Sequence, residues 1–258
     1  MNAQRSIFTP TRGVSLHMKL RNHNIDKSLD ELNSIYAVNI DSFSDFFDKW
    51  LYLVEPTVRH DILLYKQEKD RHRKLASFLL SRFLAKKFLG ITKYNISTNP
   101  FGKPFFKDYP NFCYNLSHSG KWVVAAVSDK SIGIDVEMIH TLNDFLDIAK
   151  RFYSTVEYNS LLECQENSRL DLFYNIWTKK ESMIKAIGKG LSIPLSSFNV
   201  PLGAKGNIDY EGHRWWIYTP SFIDADYKIS FCTYENKEIF SPVKYIALNT
   251  LLEASSFE

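Results

Sequence analysis

The chain has 258 residues, 45% of them hydrophobic and 24% charged, a globular composition long enough for one large or two modest cores, which excludes a disordered chain. Its 32 basic and 29 acidic residues leave a formal charge of only +3, too balanced for a dedicated nucleic-acid binder. No run approaches the ~20 consecutive apolar residues of a membrane helix, and three widely spaced cysteines, Cys113, Cys164 and Cys232, give neither a disulfide framework nor a zinc site, so a reducing, cytoplasmic setting is expected.

Residues 1–30 carry Arg5, Arg12, Lys19 and Arg21 with no acid before Asp26. They read as a flexible basic tail, with a mitochondrial transit peptide as the minor alternative. A first half is expected over residues 31–130. It opens with a β-rich run at 35–40 and a helix-patterned stretch at 46–51 that stops before Pro56. A longer helix is predicted over about 70–88, where Leu75, Phe78, Leu79, Phe83 and Leu84 recur at three-to-four spacing and Gly90 supplies the stop. Its other face is basic through Arg71, His72, Arg73 and Lys74. A turn-rich segment at 98–104 follows, and then a predicted hairpin of 122–127 with 132–138 about the turn Asp129-Lys130-Ser131.

The second half, residues 131–258, repeats the plan in outline. A helix over about 171–187 is closed by Gly188-Lys189-Gly190, and β-like runs lie near 198–200, 215–218, 227–234 and 243–248. Two halves of this kind predict an α+β fold, a pseudo-two-fold pair in which a small antiparallel-rich sheet packs with a long helix, rather than strict βαβ alternation.

Period-two alternation in Ile132-Gly133-Ile134-Asp135-Val136-Glu137-Met138 puts two carboxylates side by side on one face. Such a pair suits a hard divalent cation, although on spacing alone an ordinary solvated polar face is the commoner outcome. On the later helix, Glu181 and Lys185 flank the stripe of Phe173, Ile176, Trp177, Ile184 and Ile187. There they either complete a cation and phosphate site or form a plain surface pair worth about 0.2–0.5 kcal/mol. Lys180, nearer the centre of the stripe, is expected to snorkel to solvent. Asn115-Leu116-Ser117-His118-Ser119-Gly120 reads as a loop able to gather amides, hydroxyls and an imidazole about an anion. Adjacent residues of an extended segment point apart, so Ser117 and His118 do not read as a nucleophile and base. Gly102-Lys103-Pro104 is a rigid turn presenting a cation, or a plain surface loop.

Taken in order, Gly102-Lys103-Pro104, Asn115-Leu116-Ser117-His118-Ser119, Gly133-Ile134-Asp135-Val136-Glu137 and the long block from Phe173 to Leu191, with Trp177-Thr178-Lys179-Lys180-Glu181-Ser182 at its centre, resemble the signature blocks of the long, Sfp-type 4'-phosphopantetheinyl transferases. That family includes the activators of aminoadipate reductase in lysine metabolism. The resemblance implies a monomer of two α+β halves that binds coenzyme A in the cleft between them, with Mg2+ at its pyrophosphate, and that transfers the phosphopantetheine arm to a serine of an apo carrier protein, releasing 3',5'-ADP. By the same resemblance Asp135, Glu137 and Glu181 are metal ligands, and Lys185 and His118 contact the phosphates. Arg73 and Lys103 help hold the nucleotide end, Lys74 and Gly102 are among the residues that bind coenzyme A, Asn115 and Ser117 line the pocket, and Glu181, directly or through metal-bound water, is the candidate base. One departure lies at residues 56–61, where some relatives carry two lysines and this chain has Val58, Arg59 and Asp61, leaving Arg59, Arg73 and Lys74 as candidates for the 3'-phosphate. A non-catalytic coenzyme A or carrier-binding module and a metal-dependent nucleotide hydrolase are the competing readings. No nucleic acid or membrane partner is expected.

Overall fold

The computed structural model describes residues 32–43, 47–93, 95–234 and 242–255; the expected tail at 1–30 lies outside them. The apolar run near residue 35 forms β1 (Ser34–Asn39), an interior strand of a four-stranded sheet of order β10-β1-β5-β4. β1 pairs antiparallel with β5 (Trp122–Ser128), placing Ala37 opposite Val124, and parallel with β10 (Lys244–Tyr245). β4 (Cys113–Ser119) closes the far edge. A second, wholly antiparallel sheet has the order β6-β9-β8-β7, from β6 (Ile132–Met138), β7 (Lys205–Tyr210), β8 (His213–Tyr218) and β9 (Tyr227–Thr233). β2 (Ile96–Thr98) and β3 (Pro104–Phe106) form a separate hairpin.

Two 22-residue helices dominate the rest, α3 (Glu68–Leu89) and α6 (Glu166–Ile187). Each ends at a glycine in the left-handed region, Gly90 at φ +66° and Gly188 at φ +79°, whose N–H caps the carbonyl four residues back. In α3, acids in the first turn (Glu68, Asp70) and Lys86 and Lys87 in the last complement the helix dipole. The shorter helices are α1 (Phe47–Leu51), α2 (Pro56–Leu63), α4 (Phe145–Phe152), α5 (Thr155–Glu163) and α7 (Leu248–Ser255). One core, including Tyr36, Val38, Leu79, Phe88 and Tyr114, joins α3 to the first sheet. A second, including Ile35, Val124, Ile134, Val136, Ile229 and Phe231, lies between the sheets, and a third joins α6 to the second sheet. The architecture is α+β, as expected. No helix among the described residues is long and apolar enough to cross a membrane.

Several local expectations are corrected. The hairpin of 122–127 with 132–138 does not form: β5 already has β1 and β4 on its two edges, so after Asp129-Lys130-Ser131 the chain crosses to the second sheet and β6 pairs with β9. The segment 198–200 forms no strand; Phe198 has an extended backbone after a 3-10 turn at Leu195–Ser197, but its carbonyl is taken by a lysine of α6 rather than by a strand. Of residues 243–248 only Lys244–Tyr245 pair with β1, and α7 begins at Leu248 and packs against α3. The run from Asn115 to Ser119 is strand, not loop.

Candidate active site

Gly133 sets the site. A Cβ there would overlap the Ser182 carbonyl oxygen and the Ala186 nitrogen of α6, so only glycine lets the helix backbone lie directly on β6. The alternation of β6 then turns Asp135 and Glu137 toward the helix turn that carries Glu181 and Lys185. Lys185 Nζ reaches Asp135 Oδ1 at 2.6 Å and the Ser117 hydroxyl at 3.0 Å. The four functional side chains expected from two distant motifs therefore share one locus.

The third contributor is β4. Asn115, Ser117 and Ser119, spaced by two, all face β6. Asn115 Oδ1 accepts a hydrogen bond from the Ile134 N–H (2.8 Å), and the Ser117 and Ser119 hydroxyls donate to Asp135 Oδ1 and Glu137 Oε2, each at 2.8 Å. The opposite face of β4 turns Leu116 and His118 toward α3.

A cavity of about 540 Å³ opens at this junction. Ser117, His118, Asp135, Glu137, Glu181 and Lys185 line it, joined by Lys74 and Ser77 of α3, Tyr65, Leu116 and Trp177. Desolvation, followed by repulsion from Asp135, pushes the carboxyl of Glu137 up to about 6 and that of Glu181 up to about 7, with Lys185 pulling both down. Desolvation in the cleft, with Arg73 and Lys185 nearby, holds the His118 imidazole below its usual range and favours the neutral ring.

Other expected residues sit around or away from this cavity. Arg73 pairs with Asp70 and donates to the Gly120 carbonyl at 2.7 Å, at the corner after β4. Gly102 and Lys103 are in the β2–β3 turn, outside the cavity lining. Lys103 Nζ donates to the Ile132 and Ala186 carbonyls, both at 2.9 Å, where burial pushes its ammonium down to about 8. Arg59 is spent on the carbonyls of Leu51, Tyr52 and Val54. Lys180 does not snorkel: it is fully buried and paired with Glu157 at 2.7 Å. Sequence reasoning missed Tyr65, Ser77 and Leu116 as lining residues and gave Ser119 no separate role; the period-two spacing of Asn115, Ser117 and Ser119 was the available signal for the last.

As arranged, no group of three or more acid, histidine or cysteine side chains among the described residues is gathered to hold a metal ion. The chemistry of the donor set nevertheless fits one. Asp135 Oδ2 is buried with no hydrogen-bond partner, and three carboxylates share a desolvated cavity with Lys185 as their nearest cation. Such oxygen donors match a hard ion such as Mg2+.

Comparison with known proteins agrees with the geometry. Residues 42–130 match the family profile described as 4'-phosphopantetheinyl transferase, N-terminal, and residues 131–238 the one described as 4'-phosphopantetheinyl transferase superfamily. The chain is 37% identical over 190 residues to a 4'-phosphopantetheinyl transferase of Bacillus subtilis, which spans 72% of this chain and 84% of that protein. It is 36% identical over 192 residues to the 4'-phosphopantetheinyl transferase gsp of Aneurinibacillus migulanus (72% and 77%). To the human L-aminoadipate-semialdehyde dehydrogenase-phosphopantetheinyl transferase it is 29% identical over 211 residues (70% and 68%).

Proposed function

The chain belongs to the 4'-phosphopantetheinyl transferase superfamily, and from that premise we propose how its cleft carries out the family's reaction, transfer of 4'-phosphopantetheine from coenzyme A to a serine of an apo carrier protein. The observation that carries the proposal is the convergence of Asp135, Glu137, Glu181, Lys185 and His118 on one cavity, with Asp135 Oδ2 buried and unpartnered.

In this reading coenzyme A places its pyrophosphate against Lys185 and His118 and its nucleotide end toward Lys74 and Arg73. Asp135, Glu137 and Glu181 would hold Mg2+, which when bound would offset the charge of the pyrophosphate. Lys185 adds a fixed positive charge where the leaving 3',5'-ADP becomes more negative. The carrier serine oxygen forms a bond to the phosphorus of the phosphopantetheine arm as the bond to the departing phosphate oxygen breaks. The serine proton passes to the Glu181 carboxylate, which this reading takes as the base. Trp177 and Leu116 supply the apolar part of the cavity wall. We also take the halves 31–130 and 131–258 as a pseudo-two-fold pair acting as a cytoplasmic monomer, with β10 and α7 returning to the first half.

The name of the human relative puts an aminoadipate-semialdehyde dehydrogenase carrier domain among the acceptors to test, beside acyl and peptidyl carriers. Intact-mass measurement after incubation with coenzyme A, Mg2+ and each apo carrier decides the proposal: one carrier gains a single phosphopantetheine. No gain on any carrier, with coenzyme A bound, would identify a non-catalytic module; 3',5'-ADP released without a carrier would identify a hydrolase.

A further inference from the structure

The acids of β6 are held by hydroxyls that belong to the other sheet. β4 and β6 are edge strands of different sheets and share no backbone ladder. Three side-chain rungs join them instead. The N–H groups of Ile134, Val136 and Met138 donate to Asn115 Oδ1 (2.8 Å), Ser117 Oγ (3.4 Å) and Ser119 Oγ (3.1 Å), so the two strands run parallel at a constant offset. The two serines also donate, Ser117 to Asp135 and Ser119 to Glu137. Each hydroxyl thus fixes the backbone of β6 and one carboxylate oxygen together.

The two serine rungs differ. Lys185 reaches both Ser117 and Asp135 and is able to hold that acid by itself. Among the described residues the Glu137 side chain accepts its hydrogen bond from Ser119, and it has an extra rotatable bond to lose. The corner after Ser119 is itself held in place: Arg73 donates to the Gly120 carbonyl, Tyr227 Oη accepts from the Lys121 N–H at 2.9 Å, and a Cβ at Gly120 would collide with Tyr227 and Met138. A donor on so fixed a corner can fix the rotamer of the acid it touches.

Resting on the function proposed above, we infer that Ser119 is a positioning residue that aims the Glu137 carboxylate at the divalent cation. A hydrogen-bonded partner behind a metal ligand is worth about 10–100-fold in metal affinity or activity. Asn115 accepts from the Ile134 N–H, a backbone group, and so offers no comparable hydrogen bond to an acid among the described residues.

The test uses the whole chain and the metal alone. Mn2+ binding to the enzyme without substrate is titrated by electron paramagnetic resonance for the parent, Ser119→Ala and Ser119→Thr, together with metal-free thermal unfolding and the Mg2+ dependence of transfer. Ser119→Ala is expected to weaken Mn2+ binding about tenfold and to raise the Mg2+ concentration giving half-maximal rate in proportion. Its metal-free stability should fall by no more than the lost hydrogen bond to the Met138 N–H is worth, about 1 kcal/mol, and Ser119→Thr, which keeps the hydroxyl, should restore parental behaviour. If Ser119→Ala does not fold, Ser119→Cys, with its weaker donor, must shift metal binding in the same direction. Unchanged Mn2+ binding in a folded variant, or a lowered Tm with unchanged metal dependence, would overturn the inference while leaving the proposed function intact. A parent that binds no Mn2+ and transfers without a divalent cation overturns the inference and the metal's part in the proposed reaction while the transfer itself stands; a parent that modifies no carrier overturns the function.

Discussion

Lys180 and Glu157 form an ion pair of 2.7 Å with neither side chain at the surface, 0% and 2% exposed. The other hydrogen bonds of the two side chains, among the described residues, go to backbone. Lys180 Nζ donates to the Leu195 and Phe198 carbonyls, while Glu157 accepts from the Ser154 and Val200 N–H groups. The network ties α5, α6 and residues 195–200 together. With Lys180 locked inward, the 100° step to the next residue turns Glu181 toward the cleft.

The buried pair is therefore expected to support the site through the rotation of α6. Removing one partner leaves the other charge uncompensated, so Glu157→Ala or Lys180→Met should each cost about 3–5 kcal/mol. Urea unfolding measures it, and a double-mutant cycle should show strong coupling. Single variants that cost under about 1 kcal/mol would mean that water or local rearrangement replaces the lost charge.

A second prediction follows from the contact of β6 with α6. Gly133→Ala places its methyl against helix backbone, which cannot rotate away as a side chain can. Overpacking of this kind costs about 1–3 kcal/mol or more, and the displaced helix carries Glu181 and Lys185 with it. Lower Tm and a loss of transfer rate beyond what unfolding explains are expected. A variant with parental rate would show that the close approach is dispensable.

How much of this was legible in the sequence depends on the range of the cause. Helices α3 and α6 were readable because their apolar spacing and their terminal Gly90 and Gly188 are local signals. Asp135, Glu137, Glu181 and Lys185 were readable as motif positions, but each spacing alone favoured solvated surface; Gly133 brings them together, and its need for space is visible only when α6 lies upon it. The failed hairpin shows the limit of turn signals, since the chain does bend at Asp129-Lys130 but pairing was decided by which edges were vacant. Lys180 read as a snorkelling residue because nothing near it in sequence announces Glu157, 23 positions earlier.

The pH dependence of the metal-free protein should report on Glu181. Its folded pKa, about 7, lies above the ordinary 4.5, so the folded state binds the extra proton between those values. Stability from this group is full below pH 4.5 and is lost as pH rises through 7. Glu181→Gln should accordingly be more stable than the parent at pH 8, by roughly 1–2 kcal/mol after discounting for partial solvent screening, and equal to it near pH 4.5, while losing transfer activity. Denaturant unfolding at the two pH values without Mg2+ checks this. A less stable variant at pH 8 would mean that attraction to Lys185 outweighs desolvation and repulsion from Asp135.

Lys74 and Lys185 both line the cavity but from different helices, and their kinetic effects should separate. Lys185 stands beside Asp135 where the leaving group gains charge, so Lys185→Met is expected to lower kcat about 10²–10³-fold. Lys74 is exposed on α3 and, as a contact for the 3'-phosphate made equally in ground and transition states, should affect binding alone. An exposed charge contact is worth about 1 kcal/mol, so Lys74→Ala should raise the KM for coenzyme A roughly fivefold with kcat unchanged. Dephospho-coenzyme A, which lacks the 3'-phosphate, provides the control. With it, Lys74→Ala should match the parent while Lys185→Met stays impaired. A Lys74→Ala defect that persists with dephospho-coenzyme A would move the nucleotide end elsewhere, with Arg73 at the Gly120 corner as the next contact to test.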